Sequence, residues 1–495
     1  MATIKQPYLF NWDDLEASSD LNRLRLVLDY LPDERIMEAL EAKRFRGRDD
    51  YPIRPMWNAL IAGVVFQHNS IASLIRELNR NPALVQICGF NPIPVQKRPK
   101  AELVYENGVS KINYPKAGVA HYGVPEKHNF SRFLNSLLKL EEESKLIEQM
   151  VIDLRNQLMT TLPDFGEHLG YDGKAIESHS TGVKHKKTQQ TSDQDADWGK
   201  HETTGIDKDG NIWKKIKSWF GYELHLIADT KYEIPVKYSV TRASVSEQVE
   251  LRSEIKKLFK ETPELAARCK DFSADRGLDS GETKALLWDE YQIRPLIDIR
   301  ELWRAEKQDG NYDPTQPITR QLFPDQVDNI VYTEKGRVIC VCPKTGEQHD
   351  MAFCGFEADR NSLKYRCPAA TYDFSCAGEK VCHNKCKQKY GSYGRIVRID
   401  LDKFDRRIFT STPYGSPSWQ RGYNRRSALE RINNRVDNSF CFEKHYIRGK
   451  LKMQARCGIA IAIMMAMALG HLKNNCKEQM RSLVSPIPPP IAAVG

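Results

Sequence analysis

The 495-residue sequence has little that would place it in a membrane, in a disulfide scaffold or in a repeat array. Its longest uncharged apolar run, Cys457 to Leu472, covers 16 residues. A spanning helix needs about 20, so this run predicts a buried helix. The opening MATIKQPYLFNWDDLE lacks the charged-then-apolar layout of a secretory leader. Twelve cysteines are too few for a disulfide framework at this length, and no internal repeat is visible. Excess charge is also small, with 74 Lys+Arg against 65 Asp+Glu, a net of +9. These absences predict a cytoplasmic protein without a membrane segment. Hydrophobic residues at 40% exclude wholesale disorder, and the length predicts about three domains. A pI near 8.8 permits a nucleic-acid partner without requiring one.

Periodicity divides the chain. Residues 1–120 read as a helical front. Leu21, Leu24, Leu28 and Leu31 share one helix face, a helix follows over 34–42, and Pro55 to Gln67 is apolar with Pro near its start. Ser70 is placed to cap a helix over 71–80 that carries Arg76, so the pair reads as a helical hairpin or a helix-turn-helix. Residues 92–117, rich in Pro and Lys, read as a connector. From 121 to 300 the pattern is mixed. A helix is predicted over 131–159, strands over 168–178, 221–228, 234–240, 271–274 and 293–299, and helices over 246–259 and 280–290. Residues 181–217 read as a polar arm. The stretch 301–415 breaks the rhythm and reads as an insertion. Helices resume over 416–480, and 481–495, with SPIPPP, reads as a disordered tail. The class is therefore α/β, a mixed sheet with flanking helices.

Three acids stand out by context. Asp172 and Asp275 each follow an apolar stretch and precede a Gly within two residues, as at strand ends. Glu430 shares a helix face with Tyr423 and Arg426. Two strand carboxylates and one helical carboxylate suit hard divalent cations, Mg2+ or Mn2+, in phosphodiester chemistry. With 65 acidic residues to choose from, solvated or ion-paired carboxylates are the competing reading, and Asp279, Asp298 and Asp229 are structural or supporting alternatives.

Four segments carry a resemblance: YDGKAIESHS (171–180), residues 195–229, DFSADRGLDSGETKALL (271–287) and YNRRSALERINNRVDN (423–438). Together they resemble insertion-sequence transposases with a DDE catalytic domain, as does PIRPMWNALIAGVVFQ near the start. The resemblance runs from about residue 20 to 475. It implies an RNase H-like fold, a mixed five-stranded sheet between helices, with Asp172, Asp275 and Glu430 as the metal-binding acids. Some members carry Tyr-x2-Arg-x3-Glu-x6-Lys; here Tyr423, Arg426 and Glu430 match, but Asp437 stands at the Lys position. Arg435 or Lys444 would then take over its phosphate contact.

Residues 421–456 carry ten Lys/Arg against three acids, a net +7 around Glu430. Arg426, Arg431, Arg435, Lys444 and Tyr423 are thus candidate DNA contacts, Arg426 by bidentate pairing to a phosphate. Lys186, Lys187, Trp198 and Trp213 in the polar arm pair charge with base-stacking rings, whereas Trp219 and Phe220 read as core. Seven cysteines fall between Cys340 and Cys386, and Cys367, Cys376, Cys382 and Cys386 could hold a structural Zn2+. Reduced buried thiols and an iron–sulfur cluster are the alternatives.

The expected function is a transposase that binds the terminal inverted repeats of its element and cleaves and transfers strands into target DNA by a two-metal mechanism. It would act as a homodimer on paired ends, associated with a prokaryotic nucleoid. A catalytically inactive DNA-binding protein and a structure-specific nuclease on the same fold are the competing readings.

Overall fold

A computed structural model describes residues 19–44, 51–92, 95–96, 102–106, 109–113, 120–121, 123–182, 191–206, 212–303, 317–326, 328–381 and 391–483. The front holds α1 (Ser19–Tyr30), α2 (Glu34–Lys43), α3 (Ile53–Val65), α4 (Ile71–Arg80) and α5 (Pro82–Cys88). Leu21, Leu24 and Leu31 are buried, as their spacing requires. Ser70 caps α4 by accepting the Ser73 N–H at 3.2 Å.

The front is not helical throughout. Val95–Gln96 (β1) pairs with Ala120–His121 (β4), and Glu102–Glu106 (β2) pairs with Val109–Asn113 (β3), all antiparallel. The signal is in the sequence: ELVYE and VSKIN flank Asn107-Gly108, the dipeptide that two-residue hairpins favour. The helix predicted over 131–159 is likewise two, α6 (Lys127–Ser144) and α7 (Leu146–Thr161). Lys145 breaks it at φ 49°, and Glu141 accepts the Ile147 N–H at 2.7 Å, satisfying the start of α7.

The central sheet contains β5 (His168–Glu177), β6 (Asp197–Ile206), β7 (Ile212–Asp229), β8 (Ile234–Arg242), β9 (Asp271–Ala274) and β10 (Arg294–Ile297). Between β8 and β9 lie α8 (Glu247–Glu261) and α9 (Pro263–Arg268); α10 (Gly281–Ala285) and one π-helical turn precede β10. The order is β10–β9–β5–β7–β8, with β5, β9 and β10 parallel and β7 reversed between β5 and β8. The first half of β7 overshoots the sheet and pairs with β6. Much of the expected polar arm is therefore a β-hairpin, because Trp213 to Trp219 continues the strand instead of looping.

The insertion forms two small antiparallel sheets around its own core, which includes Trp303, Ile330, Leu363, Ile399 and Phe409. They comprise β11 (Thr319–Gln321), β12 (Ile330–Thr333), β13 (Val338–Val341) and β14 (Gln348–Asp350), then β15 (Ala352–Glu357), β16 (Ser362–Arg366) and β17 (Ile396–Asp400), with α11 (Pro368–Tyr372) before β17. The chain closes with α12 (Pro417–Asn424), α13 (Ser427–Ser439) and α14 (Lys450–Lys473).

Helix α14 is apolar all round because protein surrounds it, packing on α1, α3, α7 and β8. Its length and composition match those of a membrane span, yet 89% of its apolar window is buried inside the protein. This is the burial expected of Cys457 to Leu472, in a longer helix. Through α14 the front helices and the sheet share one continuous core rather than two.

Close packing makes Gly458 the sensitive point of α14. A Cβ there would stand 2.1 Å from the Tyr238 hydroxyl and 2.7 Å from Ile147 Cγ2. In an open helix Gly→Ala gains about 1 kcal/mol. Here Gly458→Ala is expected to lose about 1–3 kcal/mol through overpacking, measured by urea unfolding; a gain would contradict this packing.

Candidate active site

Sheet register brings the acids together. Tyr171 on β5 is level with Ala274 on β9, which is level with Ile297 on β10. Asp172, Asp275 and Asp298 each follow that row by one residue, on parallel strands about 4.8 Å apart. The carboxyl ends of parallel strands are where open α/β sheets present ligand-binding groups. Asp172 is not at the end of its own strand, as its sequence context predicted. β5 continues to Glu177, and it is β9 that stops at Ala274.

Helix α13 lies over β5 on the same face. A Cβ at Gly170 would meet Leu429 Cδ1 at 3.0 Å and the Ser273 hydroxyl at 2.8 Å, so glycine permits the approach. Two residues along, Asp172 Oδ2 accepts a hydrogen bond from Asn433 Nδ2 at 2.7 Å. Two further, Lys174 Nζ pairs with Asp437 at 2.5 Å. Steps of two in the strand and four in the helix advance by similar lengths, about 6.8 and 6.0 Å, so the contacts stay in phase. Glu430 stands exposed beside Leu429, and Arg426, one turn earlier, donates to it at 2.9 Å.

Electrostatics mark this as one site. Burial pushes the Asp172 carboxyl up to about 6; Arg426 opposes the rise, and Asp275, Glu247 and Glu430 add to it. Burial works against the Arg426 charge, but Tyr423, Asp275, Glu430 and Asp172 hold its pKa above the ordinary value. Tyr423 stacks on Trp419 at 4.6 Å, with the Arg426 guanidinium 5.7 Å from its ring centre. Trp419 in turn meets Tyr414, whose hydroxyl donates to Asp298 at 2.7 Å. The carboxylates of Asp172, Asp275 and Glu430 are oxygen donors of the kind Mg2+ and Mn2+ take. Their mutual repulsion at Asp172 and the unpartnered buried Oδ1 of Asn433 beside it fit a cation there.

Other expected residues lie elsewhere. Asp279 is buried between Lys284 at 2.8 Å and Arg407 at 3.2 Å. Asp229 accepts three backbone N–H groups, from Gly166, Lys231 and Tyr232, and braces a turn. Arg431 and Arg435 lie about 100° and about 140° round α13 from Glu430 and pair with Glu233, Arg431 at 2.9 Å. Lys444 and Arg76 are exposed. Trp198 and Trp213 are 40% and 43% exposed on the β6–β7 hairpin, while Trp219 and Phe220 are buried as expected. Lys186, Lys187, Cys382 and Cys386 lie outside the described residues; Cys367 and Cys376 are half-buried in the insertion. Asn433, Lys174 and Gly170 were not singled out from the sequence, although each lies within ten residues of an acid that was.

A raised carboxyl pKa gives a stability test. Asp172 ionises about two pH units later in the fold than in the unfolded chain, so its charge disfavours the fold once pH rises through about 6. Without divalent cations, Asp172→Asn is expected to raise stability by up to about 3 kcal/mol at pH 7.5 and to leave it unchanged at pH 3.5. Thermal unfolding in chelator checks this; a lowered Tm at pH 7.5 would contradict it.

Comparison with known proteins gives a family match for the front of the chain alone. No curated protein matches the chain. Among solved structures it is similar to a piggyBac transposase synaptic complex with hairpin DNA, seen by cryo-EM, at 11% identity and a TM-score of 0.36. That alignment covers 94% of this chain and 79% of the other, a likeness too remote to carry the fold. Residues 11–99, which include α1 to α5 and end before the acids, match the family described as Transposase domain (DUF772).

Proposed function

We propose that the chain is a DDE transposase whose catalytic domain is RNase H-like. The observation that carries this reading is the convergence of Asp172 and Asp275, on register-matched parallel strands, with Glu430 on the helix laid over the first of them. The strand order β10–β9–β5–β7–β8, with β7 reversed, supports the RNase H-like assignment. The transposase-domain match over residues 11–99 supports the activity.

Asp172, Asp275 and Glu430 would hold two Mg2+ or Mn2+ ions, which when bound activate water and stabilise the leaving oxygen of a phosphodiester. Asn433 fixes the Asp172 carboxylate through its 2.7 Å hydrogen bond. Arg426 is preset beside the acids by Glu430 and Tyr423, and is placed to receive a DNA phosphate bidentately. Lys444, Arg76, Lys186 and Lys187 would supply further phosphate contacts, and Trp198 and Trp213 offer base-stacking rings. The DNA would be the terminal inverted repeats of an element, joined to target DNA by a homodimer on paired ends in a prokaryotic nucleoid. Cys367, Cys376, Cys382 and Cys386 would hold a structural Zn2+ in the insertion.

Asp437, at the family's Lys position, is the feature favouring an inactive DNA-binding protein. Its ion pair with Lys174 counters that reading, because a cation still stands at this corner, supplied by the strand instead of the helix.

Glu430→Gln separates the readings. With a duplex carrying the element's ends and Mg2+, binding is expected to persist while cleavage falls at least about 1000-fold, on the scale of losing a group that acts only in the transition state. Cleavage at the wild-type rate by this variant would overturn the assignment. Equal cutting of branched DNA without repeat ends would point to a structure-specific nuclease.

A further inference from the structure

The face of β5 opposite Asp172 carries a second set of ligand-type side chains. We propose that His201 on β6, Glu223 on β7 and Glu247 at the start of α8 form a second cation site, for a first-row transition metal such as Mn2+, that ties the β6–β7 hairpin to the sheet. It does not rest on the chemistry proposed for Asp172.

One ligand atom from each of the three residues lies within 4.8 Å of the other two. Gly173 makes the gathering possible: a Cβ there would stand 2.0 Å from Glu247 Oε1 and 2.8 Å from Glu223 Oε1. Glu223 is only 2% exposed, and among the described residues its Oε1 has no hydrogen-bond donor other than what a proton shared with Glu247 would supply. A buried carboxylate oxygen without a donor is costly, and a second carboxylate beside it adds to the cost. Burial, then Glu247, pushes the Glu223 pKa strongly upward. Among the described residues no Lys or Arg pairs with either carboxylate. A bound cation would satisfy both.

The imidazole is held in advance. His201 stacks on Trp219 at 4.9 Å with the rings 19° apart. Trp219 is buried and donates its indole N–H to the Tyr222 carbonyl at 3.0 Å. Gly199, where a Cβ would stand 2.4 Å from the indole, lets β6 pass this close. Neighbouring polar groups are already engaged with one another: Tyr171 with His225 at 2.6 Å, His225 with Thr241 at 2.7 Å, and Ser239 with Glu250 at 2.9 Å. One imidazole with two carboxylates suits Mn2+ or Zn2+ better than Mg2+ or Ca2+, which take oxygen ligands. Occupancy would set the angle of the hairpin, and with it Trp198 and Trp213, relative to the catalytic strand.

The test uses the full chain carrying Asp172→Asn and Glu430→Gln, stripped with chelator and titrated with Mn2+ by electron paramagnetic resonance. Mn2+ is the probe because thiolates in the insertion favour Zn2+. This protein is expected to bind one Mn2+, and adding His201→Ala or Glu223→Gln is expected to weaken that binding at least about tenfold. His201 is exposed, so its variant keeps the fold if the buried Glu223 variant does not. Mn2+ bound against Trp219 is also expected to quench indole fluorescence, and His201→Ala to abolish the quenching. No Mn2+ bound, or unchanged affinity in His201→Ala, would overturn the proposal and leave Glu223 and Glu247 as a pair sharing a proton.

Discussion

The close approach of α13 to β5 depends on one position where the strand carries no Cβ, Gly170. Leu429 occupies the space a side chain would fill. From that contact the phase of the whole interface follows: Asn433 falls opposite Asp172 and Asp437 opposite Lys174. The carboxylate of Glu430 is therefore positioned by van der Waals contact one residue away, not by a hydrogen bond of its own to the strand. Apolar packing is short-ranged and stiff, which makes it a better ruler than a surface ion pair. The same strand uses glycine again at 173, where the opposite face admits Glu223 and Glu247. Two glycines three residues apart thus let charged groups approach β5 from both sides.

The insertion is spliced into this arrangement without disturbing it. Its apolar core is separate from that of the sheet but takes in Trp288 from the turn before β10, which packs on Phe356 at 5.1 Å, and a small buried ionic cluster adds to this contact. Lys284 bonds Asp279 at 2.8 Å and the Arg407 carbonyl at 2.8 Å, and Arg407 itself reaches Asp279 at 3.2 Å. Removing one member of such a cluster strands a charge in the interior, so its worth lies in fixing orientation more than in net stability. The chain can therefore leave the sheet after β10, build a second unit, and return at α12 with the acids still aligned. Helix α14 then locks the return, since it is buried against both the front helices and β8.

Much of this was legible in the residues. Strands β5, β8, β9 and β10 appeared near their places, because alternation and Gly-bounded apolar runs are local signals. Context and resemblance singled out the three acids, and what the sequence could not show was that sheet register and α13 bring their elements to one place. The β6–β7 hairpin was not. Its outer part is rich in Lys and Thr, and Lys200 to Glu202 and Trp213 to Ser218 are exposed, so composition read as loop while backbone pairing made strand. The basic cluster around Glu430 was read as one DNA-facing surface, yet Arg431 and Arg435 serve Glu233. Linear charge density cannot say which way a helix turns its side chains. Asp437 looked like a loss because its partner, Lys174, is 263 residues away in sequence. The second acidic group stayed hidden for the same reason: His201, Glu223 and Glu247 share no spacing, only a sheet face.

What matters most for function is whether Asp172, Asp275 and Glu430 act on one centre. Anomalous diffraction from crystals of the chain grown with Mn2+ and a DNA end addresses this directly. The account predicts manganese between the carboxylates of Asp172, Asp275 and Glu430, with a DNA phosphate against it and Arg426 alongside. Manganese absent from that position, or Glu430 turned to solvent while DNA occupies the strand ends, would contradict it.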